Sequence, residues 1–413
     1  MTDLATLVKR FVCAVPLAVG LTFSAAQAEP IRIALAETPS DEMAAFFVAL
    51  DRAKANGLDY EWTAFADEEL AIQAVLSGQM DIGFGTPYSI MQRSKAPLRI
   101  IFQLSKLKFF PVTTMDYASL KDLDGEPIML HSRGGGTDSI ANVIEEKEGI
   151  KFGERSYVPG SANRVVAMMA GQAKATILDL SNKNKIIAEA GDRFHSLPMF
   201  DVDASDEALF ANLDWIEANE EQVDIFVRAL LSTWQDMTKD PTIIRRETNP
   251  EGPIGQLPKE ILDELDGFYA EAVAGGLYDP NGGGRKAAEA DMEWYAEAGQ
   301  LDGDPASLNI EDFWYFKPLD AAMLERFADA GTALVTVEDH VLHGGFGAAV
   351  AEYLSDRGGA PRLVRLGIAD RHVPHGDPVQ QHEALGYGPE GIRAALARLG
   401  YGPAVPVAAA ERR

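Results

Sequence analysis

Cysteine is almost missing from this 413-residue chain: the one present, Cys13, lies inside an apolar leading segment. A disulfide needs a pair, so none is supported, and a lipid anchor at a mature N-terminal cysteine is not supported either. Positive charge is scarce as well, with 37 Lys and Arg against 63 Asp and Glu and a formal net charge of −26. So acidic a surface lacks the cations that neutralise phosphates, which argues against nucleic acid and anionic membranes as partners. Long apolar runs are also missing, and Phe11 to Phe23 is too short to span a bilayer. What remains is 46% hydrophobic, enough for two or three domains with cores of their own.

The first 28 residues combine Lys9 and Arg10, the apolar run, and Ala26-Gln27-Ala28 before Glu29. A basic start, a short apolar centre and a small-x-small site predict a secretory signal peptide cleaved after Ala28. The expected product is soluble, exported and free of thiols.

From Ile31 onward short β-like runs alternate with amphipathic helices, the pattern of an α/β fold with largely parallel strands. Strands are expected at Ile31 to Leu35, Tyr60 to Phe65, Met80 to Phe84 and Leu98 to Gln103, with helices at Asp41 to Asn56 and Glu68 to Ser77. A similar unit begins near Ser119, with strands at Pro127 to Leu130, Arg155 to Val158 and Ala175 to Leu178. The two units echo each other in Ser77-Gly78-Gln79-Met80 and Ala170-Gly171-Gln172-Ala173, each a helix end followed by entry into a strand. Leu209 to Asn212 is expected to return to the first unit, followed by helices at Trp215 to Thr238, Pro258 to Ala274 and Lys286 to Ala298. Phe313 to Phe316 are read as core packing.

Ligands of open α/β sheets gather at the carboxyl ends of strands, so the turns there are candidates together. They are Glu37, Thr38 and Pro39; Gly85, Thr86 and Tyr88; Gly134, Gly135, Gly136, Thr137 and Asp138; and Asp179, with Gln103 a lesser member. The triglycine turn feeds a helix that Thr137 or Asp138 can cap, and the free N–H groups there suit an anionic or polar ligand group. A plain connecting turn is the other reading. Asp179 either binds an amine or hydroxyl or caps the next helix. Arg133 either holds an anion or faces solvent.

Composition shifts near residue 316. Beyond Lys317 there is no lysine and no tryptophan, every other cation is arginine, and five of the seven histidines appear. His340-x-x-His343 and His372-x-x-His375 have the spacing of metal ligands, but without thiolates surface and loop histidine is the preferred reading, and no metal or cofactor is expected.

Glu37-Thr38-Pro39, the segment Ala74 to Gly83, Leu120 to Gly125, the glycine turn, Val158 to Ser161 and Ala170-Gly171-Gln172 together resemble the solute-binding proteins of ATP-driven importers. The similar branch includes nitrate, alkanesulfonate, taurine and thiamine-pyrimidine binders. The resemblance implies a periplasmic binding protein type II-like fold over residues 29–316. One lobe would hold about 29–107 and 209–316, the other about 115–199, with crossovers near Leu107 to Thr114 and Met199 to Ala208. It further implies capture of a small organic or anionic solute in the cleft and delivery to an inner-membrane permease with its ATPase, without catalysis. A sensing receptor and a thiamine-precursor protein are the alternatives.

Lys317 to Asp320, Leu334 to Asp339, Gly344 to Gly347, Arg365-Leu366-Gly367, Asp370-Arg371 and His375 to Pro378 resemble the C-terminal domain of deoxyxylulose-phosphate synthase, of the transketolase type. The opening strand-helix-strand of that domain is missing, and Glu338-Asp339-His340 stands where its pattern has two acids and an asparagine. Residues 317–413 are therefore expected to be a partial α/β domain that carries no catalytic residue.

Overall fold

The computed structural model describes residues 29 to 401, leaving out positions 67, 132, 134, 135, 200, 201, 359, 360, 372 and 374. The leader, Cys13, Gly134, Gly135 and His372 lie outside the described residues. In chain order the strands are β1 (Ile31–Leu35), β2 (Tyr60–Ala64), β3 (Ile82–Phe84), β4 (Leu98–Lys106), β5 (Phe110–Thr114), β6 (Ile128–Leu130), β7 (Arg155–Tyr157), β8 (Ala175–Leu178), β9 (Phe194–Ser196), β10 (Ser205–Asn212), β11 (Leu334–Val341) and β12 (Leu363–Ile368). The helices are α1 (Ala44–Ala55), α2 (Glu68–Leu76), α3 (Tyr88–Ser94), α4 (Gly136–Glu148), α5 (Ser161–Met169), α6 (Leu180–Ala190), α7 (Leu213–Ala218), α8 (Glu220–Lys239), α9 (Ile243–Glu247), α10 (Lys259–Ala274), α11 (Gly284–Glu297), α12 (Lys317–Asp329), α13 (Phe346–Asp356), α14 (Pro378–Leu385) and α15 (Pro389–Arg398).

Two five-stranded sheets carry the first three quarters of the chain, in the orders β2-β1-β3-β10-β4 and β7-β6-β8-β5-β9. The orders are equivalent. In each, three parallel strands are followed by an antiparallel strand that arrives from the other lobe, β10 in the first and β5 in the second. The sequence echo marks this shared construction: Gly78 and Gly171 both turn out of a helix with φ near +73°, where an L side chain would be strained. Each lobe buries Val, Ile, Leu and Phe side chains between sheet and helices, with Phe46, Phe84 and Phe226 edge-on at the centre of lobe 1.

The crossovers are shorter than the sequence suggests. Phe110–Thr114, expected as connecting chain, is a full strand of the second sheet, and the returning strand begins at Ser205, not Leu209. Neither was legible for the same reason: Pro111 interrupts the first run and Asp206-Glu207 the second, so neither has strand-like alternation. The lobes thus exchange chain through 107–109 and 197–204 only. The long helix expected from Trp215 is two, α7 and α8, broken at Asn219.

Phe313, Trp314 and Phe316 are buried in lobe 1, as their hydrophobicity predicts. Beyond them, α12 lies on α8 and β4 and buries Pro318 and Leu319, so the compositional boundary does not coincide with a structural gap. The Glu325 carboxylate of α12 meets Arg228 of α8, the Tyr353 hydroxyl and Arg357. The rest of the tail is a two-stranded parallel sheet, β11 beside β12, covered by α13 and α15.

Candidate functional site

The strand ends of the two lobes face each other beneath the crossovers, and polar contacts tie the lobes together on both flanks. On one side Ser181 Oγ donates to Asp41 at 3.0 Å and Lys183 Nζ meets Glu271 at 2.9 Å. On the other, Gln300 Nε2 donates to Ser139 Oγ at 2.8 Å and Lys147 lies 3.4 Å from Glu297. Single polar contacts of this kind each contribute on the order of 1 kcal/mol, which suits a cleft that opens and closes.

Lobe 1 lines the cleft with carboxylates. Glu37 follows β1 and stays solvent-exposed, as does Thr38, while Pro39 is half-buried. Glu42 stands at the start of α1, next to Asp41. Partial loss of water under the facing lobe and the nearby charge of Asp179 raise Glu37, Asp41 and Glu42 above the ordinary carboxylate range, Glu42 the furthest, although Glu37 and Glu42 keep an exposed surface. Gly85 has φ +129°, and its missing side chain leaves room for the Glu68 carboxylate, which accepts the Thr86 N–H at 2.8 Å. On β10, burial and repulsion from Asp179, Glu68 and Glu37 raise Asp206 to about 8. Its neighbour Glu207 is pushed well up by burial and Asp206, and its Oε2 is buried with no partner among the described residues.

Lobe 2 presents a different wall. Thr137 Oγ1, in the first turn of α4, accepts the His131 N–H at 2.8 Å. His131 Nδ1 accepts the Gly160 N–H at 3.1 Å, and burial together with Arg164 holds its pKa down. Arg164 is fully buried below, donating to Val158 O, Ser161 Oγ and Ile177 O; desolvation lowers it to about 10. Asp179 caps α6 by accepting the Asn182 N–H at 2.8 Å, and its charge still reaches the lobe 1 carboxylates. The capping alternative is therefore realised without removing Asp179 from the cleft.

Several expected site residues are spent elsewhere. Tyr88 is buried in lobe 1, its hydroxyl held by Asp291 and by Trp314 Nε1 at 3.0 Å, because α3 turns it inward. Gln103 is buried at the hinge, its Nε2 donating to Asp203 O at 3.0 Å and Ser205 Oγ at 3.1 Å. Asp138 does not cap α4, which starts at Gly136. It faces back into lobe 2, 2.7 Å from Arg155 and 3.2 Å from the Tyr157 hydroxyl. Gly136 is exposed at the helix start, and Arg133 stacks over Tyr157 with its centre 5.3 Å from the ring. The residues sequence reasoning missed are Asp41, Glu42, Glu68, Asp206 and Glu207. The turn-based search passed over them because they sit in helix starts and inside a strand.

Residues 42–243 match the family model described as NMT1/THI5 like, and residues 295–392 match that of the transketolase C-terminal domain. Similar solved structures include a protein of Bordetella bronchiseptica RB50, with TM-score 0.57 and 18% identity over 72% of this chain and 98% of that one. The periplasmic nitrate-binding protein NrtA of Synechocystis PCC 6803 gives 0.53 at 12% identity over 72% and 88%. The periplasmic aliphatic sulphonate binding protein SsuA of Escherichia coli gives 0.52 at 13% over 70% and 92%. These likenesses establish the fold. The tail is similar to 1-deoxy-D-xylulose-5-phosphate synthase: 33% identical over 113 residues to that of Pseudoalteromonas translucida and 38% over 91 residues to that of Chlorobium phaeovibrioides. The matches cover 27% and 22% of this chain but only 18% and 14% of those enzymes. The chain thus carries an NMT1/THI5-like region in a two-lobed periplasmic-binding-protein fold, followed by a transketolase C-terminal-like segment.

Proposed function

We propose that the chain is the solute-binding component of an ATP-driven importer, holding a small organic solute between its lobes and presenting the closed form to a membrane permease with its ATPase. The observation that carries this is the equivalent strand order of the two sheets, joined by two short crossovers, with polar side chains of both lobes facing one cleft. Such a frame lets a ligand that touches both lobes shift the population toward the closed form, and closure is what a permease can read. The likeness to nitrate- and sulphonate-binding proteins, together with the leader-like first 28 residues, supports an extracytoplasmic location.

The division into residues 29–316 and 317–413 belongs to the same reading, with α12 as the piece that fastens the tail to lobe 1. No catalytic step is assigned to the tail, which corresponds to under a fifth of its synthase relatives. Glu37, Thr38, Pro39, Gly85, Thr86 and Asp179 are proposed as ligand-facing residues, with Gly134 to Thr137 as the opposing lip.

Mass spectrometry of the purified full chain tests the reading by identifying retained solute, and small-angle scattering by following closure. The expected result is a retained or added solute that raises the melting temperature with concentration and reduces the radius of gyration. A chain that holds no solute and keeps one radius of gyration throughout a chemically diverse screen refutes it.

A further inference from the structure

We propose that the solute is an organic cation, a nitrogen base carrying its positive charge into the cleft; this rests on the cleft being the binding site. The carboxylates come from separate parts of the chain. Glu37 and Glu42 belong to the first βα unit, Glu68 to the second, and Asp206 and Glu207 to the returning strand, while Asp179 faces them from the other lobe. Helix starts account for part of this: Asp41, Glu42, Glu68 and Asp179 each stand at the positive end of a helix. That account does not extend to Glu37, Asp206 or Glu207.

Glu207 supplies an independent sign. Its Oε2 is buried beside Asp206, Glu68 and Glu37 and meets no donor among the described residues. A buried carboxylate oxygen without a donor is costly, and a ligand N–H is the group that would satisfy it. Of the nearby cations, Lys106 and Lys286 hold Asp203 at 2.6 and 2.8 Å and Lys183 holds Glu271; Arg164 donates to two backbone carbonyls and Ser161 while its buried Nε meets no acceptor among the described residues, and Arg133 lies over the Tyr157 ring. Among the described residues no three acidic or histidine side chains converge as a metal would require, so the charge is distributed as for an extended organic cation. A nitrate or sulfonate entering the same space would add negative charge to a group of carboxylates that already repel one another. The fold resembles binders of those anions, but the electrostatics of this cleft oppose them.

The test is a thermal-shift and calorimetric panel on the full chain: putrescine, choline and N-methylpyridinium against ethanesulfonate, nitrate and glycerol, with mass spectrometry of any co-purified solute. The expected result is binding of a cationic probe or recovery of a cationic solute. The Asp206→Asn/Glu207→Gln pair should weaken that binding at least tenfold while the variant melts no lower than the parent. Measured at pH 9, where Asp206 is ionised, the conservative pair keeps shape and removes charge, so a merely structural role would leave the affinity where it was. Binding of an anion or of the polyol in the cleft, with closure, overturns the charge inference and leaves the proposed function standing. Unchanged affinity for the cation in the paired variant overturns it too. Absence of binding by every class, with no closure, overturns both.

Discussion

The two lobes share a strand order but present unlike walls to the cleft. Lobe 1 presents Glu37, Glu42, Asp206 and Glu207 to the cleft with no basic partner among the described residues, and loss of water together with the surrounding carboxylates pushes all four upward. Lobe 2 sends only Asp179 toward the lobe 1 carboxylates; it pairs Asp138 with Arg155 and Glu145 with both Arg155 and Lys151, and keeps a buried guanidinium, Arg164, beneath the surface. One construction therefore serves two jobs. Lobe 2 pairs Asp138 and Glu145 with its own bases, whereas lobe 1 holds cleft charge that a ligand or a proton can compensate.

The largest expected break in this comparison is at Arg164. Arg164→Met leaves the carbonyls of Val158 and Ile177 without their donor and should cost about 3 kcal/mol in urea unfolding. The loss should be confined to lobe 2, as hydrogen exchange can show by leaving α1 and α8 protected. A next, pH-dependent effect belongs to lobe 1. A carboxylate whose folded pKa is raised binds more protons folded than unfolded, so stability is highest below the unfolded value and is lost as pH rises through the folded one. With Asp206 at about 8 and Asp179, Glu68 and Glu37 facing it, the solute-free chain should melt lower at pH 9 than at pH 6. Asp206→Asn should flatten that slope; an unchanged slope would mean the charge lies elsewhere. Cation affinity should move the other way and tighten as pH rises.

Smaller effects test the shared construction itself. Gly78→Ala and Gly171→Ala each place a Cβ at φ near +73° with open space around it, so backbone strain alone acts and each should cost about 1 kcal/mol. Markedly unequal costs would separate the two turns that the sequence pairs. Smallest of all, Ser181→Ala removes one bond to Asp41 across the lobes and should change stability by less than about 1 kcal/mol. Its readout is a larger radius of gyration without solute.

How much of this was legible follows from what each residue type can report locally. Gly78 and Gly171 announced themselves because a left-handed turn restricts the residue at that one position, whatever packs around it. The helix at Glu68 and the strand at Ile31 were legible from periodicity. Tyr88 and Asp138 were misplaced because a tyrosine or aspartate near a strand end looks the same whether it faces ligand or core. Only Asp291 and Trp314, 203 and 226 residues away from Tyr88, and Arg155, 17 residues from Asp138, decide it. Asp206 and Glu207 were overlooked for the opposite reason: two adjacent acids spoil a strand pattern, yet β10 runs through them with register shifts beside β4.

The sequence by itself determined the α/β alternation, the doubled unit, the acidity and the change of character near residue 316, since each follows from composition or short-range periodicity. Tertiary structure alone decided which acids meet. Seven carboxylates spread from residue 37 to residue 207 become one electrostatic group only when β10 returns to lobe 1 and the second lobe brings Asp179 across the cleft. Charge repulsion depends on distance through space, and no local pattern in the chain records that distance.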